Sequence, residues 1–301
     1  MKIHFLGTSA TVPTLDRNVS SIAIENFNEI ILFDCGEGTL IQCRKQKLKI
    51  SKITKIFISH FHGDHFLGIP ALLMTYSLFK RTKPLGIYGP IGILEYIDFI
   101  MKFIESDLSF RLDVIELKNK ESFKFLKYSI EAIETQHRIQ NFSFKYIENA
   151  RYGKFNNDKA SKLKIPNTII RKKIKEGNAI TLENGRIISP EDVCDSIIKE
   201  KIVVYSGDTR PIEKLRDFAK NADVLIMEST FFNDLKEKAL ETNHSTLEEA
   251  IDLGQSARVK NLILTHFSSR YKTLEVFNEY INKLKSKTYI YLASDFFIFS
   301  L

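Results

Sequence analysis

Through the first fifth of the chain, apolar and polar positions alternate with a short period. Residues 2–6, 20–24, 30–34 and 53–59 are rich in β-branched and aromatic side chains, and each run predicts a strand. The apolar run 67–79 is longer and predicts a helix, with Pro70 near its first turn, where a missing N–H costs little. Further strands are expected at 85–88, 112–116, 128–135 and 142–147. The second half repeats the alternation, with strands at 203–206, 224–228, 262–265 and 289–291 and helices at 246–257 and 274–284. Strand–loop–helix units in both halves predict an α/β protein in which two β-sheets lie between helices. No short-period repeat interrupts this order.

Composition narrows the class. With 301 residues and 44% hydrophobic content the chain can bury a sizeable core, and 1–301 reads as a single domain. The first residues, "MKIHFLGTSATVP", lack the apolar segment of a signal peptide. No uninterrupted apolar run approaches the roughly 18 residues of a membrane span. Three cysteines, Cys35, Cys43 and Cys194, are odd in number and lack C-x-x-C spacing, so neither a disulfide framework nor a thiolate zinc site is expected. Cys35, in "LFDCGEG", reads as a small buried residue. A soluble, cytoplasmic protein is expected.

The chemistry is concentrated in "ISHFHGDHFLG". His60, His62, Asp64 and His65 fall within six residues, directly after a strand and before a helix. Gly63, free to take a positive φ, is expected to turn the chain between the two pairs. Imidazole nitrogens and a carboxylate suit zinc. One zinc takes at most about four protein ligands, and neighbours on so short a loop cannot all reach one ion, so the run suggests two. Partners are then required elsewhere. His137 in "IEAIETQHRI", Asp208 in "KIVVYSGDTRP" and His266 in "NLILTHFSS" each stand at the carboxyl end of an apolar strand. Together with the first loop they make five His and two Asp, a number that suits two ions sharing one carboxylate.

On "SHFHGDH", His137, "SGDTRP" and "LTHFS", in that order, the chain resembles the metallo-β-lactamase superfamily. Within it the chain resembles the ribonuclease Z family of tRNA 3′-processing endonucleases. That closer likeness rests on "FLGTSATVPTLDRNVSSIAI" with a Pro-x-x-x-Arg-Asn element at Pro13, Arg17 and Asn18, on "NHSTLEEA" with His244, and on "GKFNNDKASKLKIPNTIIRKKIKEGNAITLENGRIISPEDV". Two details differ: Leu15 stands where the family often has Lys, and the arm's usual Gly-Pro pair is replaced around "IPNTII". The resemblance implies an αββα sandwich with an inserted substrate-binding arm at 151–190, two zinc ions per chain, precursor tRNA as substrate and a homodimer. It implies that His60, His62 and His137 hold one ion and Asp64, His65 and His266 the other. Asp208 would bridge them, Asp64 would also accept a proton, and Arg17 would contact RNA.

The arm can be read without the family. Between Arg151 and Gly177 stand nine basic residues (Arg151, Lys154, Lys159, Lys162, Lys164, Arg171, Lys172, Lys173 and Lys175) against Asp158 and Glu176 alone. Removing those from the chain's 44 basic and 37 acidic residues leaves 35 of each, so the whole net charge of +7 is local. A neutral body with one basic projection, in which Tyr152 and Phe155 are interleaved, is the electrostatic footprint of a polyanion-binding protein.

The expected chemistry follows. Two zinc ions lower the pKa of a shared water toward ~7 and neutralise charge on the attacked phosphodiester. The products would be a 3′-hydroxyl on the tRNA and a 5′-phosphate on the trailer. His244 is the remaining candidate for protonating the leaving oxygen, because His4 lies within the first strand; Glu228 would orient His244. Two other readings compete: a hydrolase of small phosphodiesters or sulfate esters, to which the basic arm would be of no use, and a tRNA-binding protein with structural zinc.

Overall fold

A computed structural model of the protein describes residues 1–104 and 107–301. The alternation seen in the sequence sorts side chains between two faces of each strand. In strand Glu29–Phe33, Leu32 packs with Ile69, Leu72, Leu73 and Tyr76 of helix Ile69–Leu78, whereas its neighbour Phe33 stacks on Phe144 of the other sheet at 5.5 Å. The first sheet runs, in spatial order, Ile298–Ser300, Lys2–Gly7, Ser21–Asn26, Glu29–Phe33, Ile53–Phe57, Leu85–Gly89 and Leu112–Glu116. The second runs Tyr289–Leu292, Asn261–Thr265, Val224–Glu228, Lys201–Tyr205, Asn141–Glu148, Tyr128–Thr135 and Glu121–Lys124. Phe57 also meets Phe144 edge-on at 5.4 Å, so aromatic rings form the seam between the sheets. On the outside of the second sheet, Leu225, Met227, Leu262 and Leu264 pack with Leu247, Ala250 and Ile251 of helix Leu247–Ser256. Helix, sheet, sheet and helix are thus stacked in the αββα order. Each fully buried Leu or Ile contributes about 1.5–3 kcal/mol.

The carboxyl ends of the strands from both sheets carry the chemistry. Glu29–Phe33, Ile53–Phe57 and Leu85–Gly89 are parallel, as are Lys201–Tyr205, Val224–Glu228 and Asn261–Thr265. Crevices beyond such ends are where open α/β sheets hold ligands. Two of these ends leave ordinary backbone space: Asp34 and His266 both sit at φ 60°. Such conformations persist where the surroundings over-determine them, commonly at functional sites. Gly207 (φ 59°) follows the same logic, since a Cβ there would meet Phe142 O at 2.9 Å.

Several expectations are corrected. Gly63 does not take a positive φ; it opens a helical turn, Gly63–Phe66. The expected helix 67–79 starts at Ile69 instead, because Gly68 is pressed against the preceding loop, with its N–H on Cys35 O at 2.8 Å. Helices Thr39–Lys45 and Ile93–Ile104 were not foreseen, nor were the short edge strands Glu121–Lys124 and Ile298–Ser300. All three cysteines are buried and free, Cys35 being the small buried residue expected. No helix among the described residues is long and apolar enough to cross a membrane.

The chain divides into two compact units. One comprises residues 1–124, 130–146 and 202–301 and carries most of both sheets; the other comprises 125–129 and 147–201. The second unit is wider than the expected insertion 151–190. It has its own core of Phe155, Ala160, Ile165, Ile174, Ile188, Val193 and Cys194.

Candidate active site

The seven residues read as ligands converge in the larger unit. His62 Nδ1 lies 3.0 Å from His60 Nε2 and 3.1 Å from His137 Nε2, and Asp208 Oδ2 lies 3.6 Å from His60 Nε2. On the other side, Asp64 Oδ2 is 3.4 Å from both His65 Nε2 and His266 Nε2. Asp208 Oδ2 is 3.3 Å from the same two nitrogens, so Asp208 faces both groups. Within each group, the possible ligand atoms lie within 4.8 Å of one another.

Hydrogen bonds at the back of the rings fix which nitrogen faces the centre. Asp34, fully buried, accepts from Ser59 N at 2.7 Å, Ser59 Oγ at 2.9 Å, Tyr205 OH at 2.6 Å and His65 Nδ1 at 2.7 Å. Ser59 Oγ, having given its proton to Asp34, accepts from His60 Nδ1 at 2.9 Å. Thr230 Oγ1 donates to Glu228 Oε2 at 2.6 Å and accepts from His266 Nδ1 at 3.0 Å. His137 Nδ1 donates to the carbonyl of Asn243 at 3.0 Å. Four imidazoles therefore have Nδ1–H satisfied and turn an unprotonated Nε2 inward.

His65 Nε2 and Asp208 Oδ1 are buried without a hydrogen bond. Burial pushes the His60 imidazole well below its usual pKa. Burial also opposes a charge on His65, yet the carboxylates of Asp208, Asp64 and Asp34 hold it well above its usual value. Imidazole nitrogens gathered about 3 Å apart beside carboxylates are a donor set suited to a shared cation, and His/Asp donors whose rings are anchored from behind are the pattern of a metal centre. The residues present fit metal ions.

His244 stands beside this centre. Its Nδ1 is 2.9 Å from Glu228 Oε1 and 3.9 Å from Asp208 Oδ2. It also forms a possible donor group with Asp208 and His266, but the Glu228 carboxylate keeps a proton on Nδ1 and leaves Nε2 for the cleft. Burial lowers the His244 pKa, but the charge and hydrogen bond of Glu228 outweigh it and raise the value to about 9. Glu228 is itself fixed by Thr209 N at 2.9 Å and by Thr230. Arg210 donates to the His244 carbonyl and pairs through both terminal nitrogens with Glu249, which closes the capping box with Thr246. The centre opens into a cleft of about 680 Å³ lined by Thr11, His62, Asp64, Arg138, His244 and Arg270 among others. Asp34, Arg138, Arg210 and Arg270 were missed in the sequence. Asp34 gave the same signal as Asp208, an acid ending an apolar strand. The arginines gave none.

Three expected RNA contacts or supports are corrected. Arg17 is 7% exposed and donates to Ser268 O and Tyr271 O. Arg171 is half-buried and holds Ile165 O and Asn157 Oδ1, fastening the arm to itself. Phe155 belongs to the arm's core, under the Lys175 ammonium at 4.9 Å, and is not free to stack on a base. Arg151, Lys154, Lys159, Lys162, Lys164, Lys172, Lys173 and Lys175 are exposed.

Four layers with a His/Asp metal centre at the strand ends define the β-lactamase superfamily, and residues 29–267 match its domain model. The chain is 39% identical over 271 residues to ribonuclease Z of Methanosarcina acetivorans, spanning 90% of this chain and 88% of the relative. It is 41% identical over 272 residues to ribonuclease Z of Nitrosopumilus maritimus, spanning 90% and 91%. The crystal structure of human short-form tRNase Z superposes with a TM-score of 0.71 at 28% identity, over 100% of this chain and 99% of that one. The chain belongs to the ribonuclease Z family.

Proposed function

We propose that the protein is a two-zinc endoribonuclease that removes the 3′ trailer from precursor tRNA, leaving a 3′-hydroxyl on the tRNA and a 5′-phosphate on the trailer. The observation that carries the reading is the pair of donor groups sharing Asp208, with the Glu228–His244 pair beside them. His60, His62 and His137 would hold one ion and Asp64, His65 and His266 the other, with Asp208 available to both. Bound there, zinc supplies an activated water at neutral pH and neutralises charge on the phosphate.

The chain's own residues do the rest. The Asp64 carboxylate, fixed through Oδ2 by the Thr11 N–H at 2.7 Å, accepts the proton of the attacking water. The His244 ring, kept protonated by Glu228, gives a proton from Nε2 to the leaving 3′-oxygen. Arg138 and Arg270 line the cleft and are the cations there that would meet substrate phosphates. The eight exposed cations of the arm supply affinity for the tRNA body, which a small ester would not need. The reading extends to a homodimer in the cytoplasm, both carried over from the family.

The test compares 3′-extended tRNA with bis(p-nitrophenyl) phosphate. The wild type should turn over the tRNA with far higher kcat/KM, and Asp64→Ala should abolish cleavage while retaining RNA affinity. Efficient hydrolysis of the small diester with no action on the tRNA would favour the small-ester reading. RNA binding without turnover of either would favour a binding protein.

A further inference from the structure

Arg17 was expected to meet RNA, yet its guanidinium lies under the surface, on Ser268 O at 3.2 Å and Tyr271 O at 2.8 Å. Those carbonyls belong to the segment after His266. That segment already adjoins the N-terminal one, because Phe267 and Ser268 pair in parallel with Ser9 and Ala10. Between Ala10 and Arg17 the chain makes an excursion, closed at its far end by Thr14 N on Arg17 O at 2.7 Å and Arg17 N on Thr14 Oγ1 at 2.9 Å.

Thr11 stands at the near end with φ 64°, a left-handed conformation that is an outlier for a β-branched residue. Val12 N reaches Ala10 O at 2.7 Å across it, forming a tight three-residue turn. The turn aims the Thr11 N–H at Asp64 Oδ2, 2.7 Å away. A turn of this kind keeps its shape only where neighbouring structure imposes it. The other end of the excursion is tied down by Asn18 and by Arg17. The Asn18 carbonyl accepts from Ser9 N at 2.9 Å, and its N–H donates to Asp295 Oδ2 at 2.7 Å. Arg17 alone of the two reaches the 268–271 segment.

We propose that Arg17 is a positioning residue for Asp64: by clamping the 268–271 segment to the end of the N-terminal excursion, it keeps the Thr11 amide on the Asp64 carboxylate. Both carbonyls are held by one terminal nitrogen, Nη2, at the end of a rigid planar group. A lysine ammonium has donors enough for both but sits on a shorter, more flexible stem and restores the clamp only in part. Without the clamp the excursion loosens, the amide leaves Oδ2, and the carboxylate is free to rotate away from the position its reaction requires. The inference rests on the proposed role of Asp64. It gives this arginine no contact with RNA.

The test uses Arg17→Ala and Arg17→Lys in the full chain loaded with zinc. The readouts are kcat and KM on 3′-extended tRNA, kcat/KM on bis(p-nitrophenyl) phosphate, the Kd for mature tRNA, metal content and the unfolding temperature. A small misplacement of a reacting group costs up to about a hundredfold, so Arg17→Ala should lose about tenfold to a hundredfold in turnover on both substrates. Mature-tRNA affinity and metal content should stay at wild-type values, and Arg17→Lys should fall between. Weakened tRNA affinity with undiminished hydrolysis of the small diester would overturn the proposal and make Arg17 an RNA contact. Failure of both variants to fold or to retain metal would overturn it too, by assigning Arg17 to the fold as a whole. A wild type that hydrolyses the diester but not the tRNA refutes only the RNA reading, and the diester measurement still decides the role of Arg17.

Discussion

His244 Nδ1 lies 2.9 Å from Glu228 Oε1 and 3.9 Å from Asp208 Oδ2, beside the His/Asp centre. A buried carboxylate held by Thr209 N and Thr230 has one vacancy, and the imidazole fills it. The pair gives the site an acid at the wall of the same cleft that Asp64 lines.

His244→Ala should therefore lower kcat by about 10²–10⁴-fold, the usual contribution of general acid catalysis. Metal content should remain near that of the wild type, since no ligand is lost. Replacing the scissile 3′-oxygen by sulfur, a leaving group that needs little protonation, should restore much of the variant's rate relative to wild type. Loss of a metal ion from the variant would instead put His244 among the ligands, in the group it forms with Asp208 and His266.

Asp34 is the residue on which the ring orientations depend. Asn at this position keeps the volume and tolerates the left-handed backbone, φ 60°. Its amide nitrogen, however, faces a donor in either orientation: Ser59 N on the Oδ1 side, or His65 Nδ1, Ser59 Oγ and Tyr205 OH on the Oδ2 side. Removing a partner behind a ligating histidine typically costs 10–100-fold in metal affinity, so Asp34→Asn should release metal to a chelator at correspondingly lower chelator concentration. Unaltered release would mean that the rings are held by packing alone.

In the arm, substitution is a better probe than deletion, because Phe155, Ala160, Ile165 and Ile174 form a core that a deletion would destroy. Lys154, Lys159, Lys162 and Lys173 are exposed and lie outside that core. Replacing all four by Ala should weaken precursor binding and flatten its log–log salt dependence, by about 0.7–0.9 for each lysine that meets a phosphate. Hydrolysis of bis(p-nitrophenyl) phosphate should be unaffected. An unchanged salt slope would show the arm to be a solvated surface.

The Arg210–Glu249 pair makes a pH prediction. Burial raises the Glu249 pKa, but the hydrogen bonds and charge of Arg210 with the Thr246 amide outweigh it, leaving the carboxyl below its usual value. A folded pKa below the unfolded value of about 4.3 gives stability that is present above that value and lost as pH falls through the folded one. Glu249→Gln should thus unfold more readily than wild type at pH 7, by about 1 kcal/mol or more, and the difference should shrink in acid below the unfolded pKa and vanish below the folded one. A gap in unfolding temperature that persists in acid would attribute the effect to packing.

The central strands and the ligands at their ends were legible because both signals are local: an apolar run, then a lone His or Asp. Asp64, His65 and Asp208 could be assigned from their neighbours in sequence alone, and the structure brings all seven expected ligands together. What the sequence hid was contact between distant segments. Asp34 serves His65 across 31 positions, and Arg17 reaches Ser268 and Tyr271 across 251 and 254. A basic residue beside a polar motif carries no mark of whether it faces phosphate or a carbonyl, and Arg17 and Arg171 face carbonyls. Phe155 was misread for the same reason, since an insertion with its own core looks in sequence like a charged loop with aromatic residues in it. The helix expected at 67–79 failed at Gly68 because backbone crowding from Cys35 and Gly36 is not a property of the helix's own sequence.

The most direct test of the account is to incubate an end-labelled 3′-extended tRNA with the zinc-loaded protein and to map the cut and its end groups. The account predicts one endonucleolytic cut at the junction of tRNA and trailer, with a 3′-hydroxyl on the tRNA and a 5′-phosphate on the trailer. Cleavage elsewhere, stepwise trimming from the 3′ end, or a 3′-phosphate on the tRNA would contradict it.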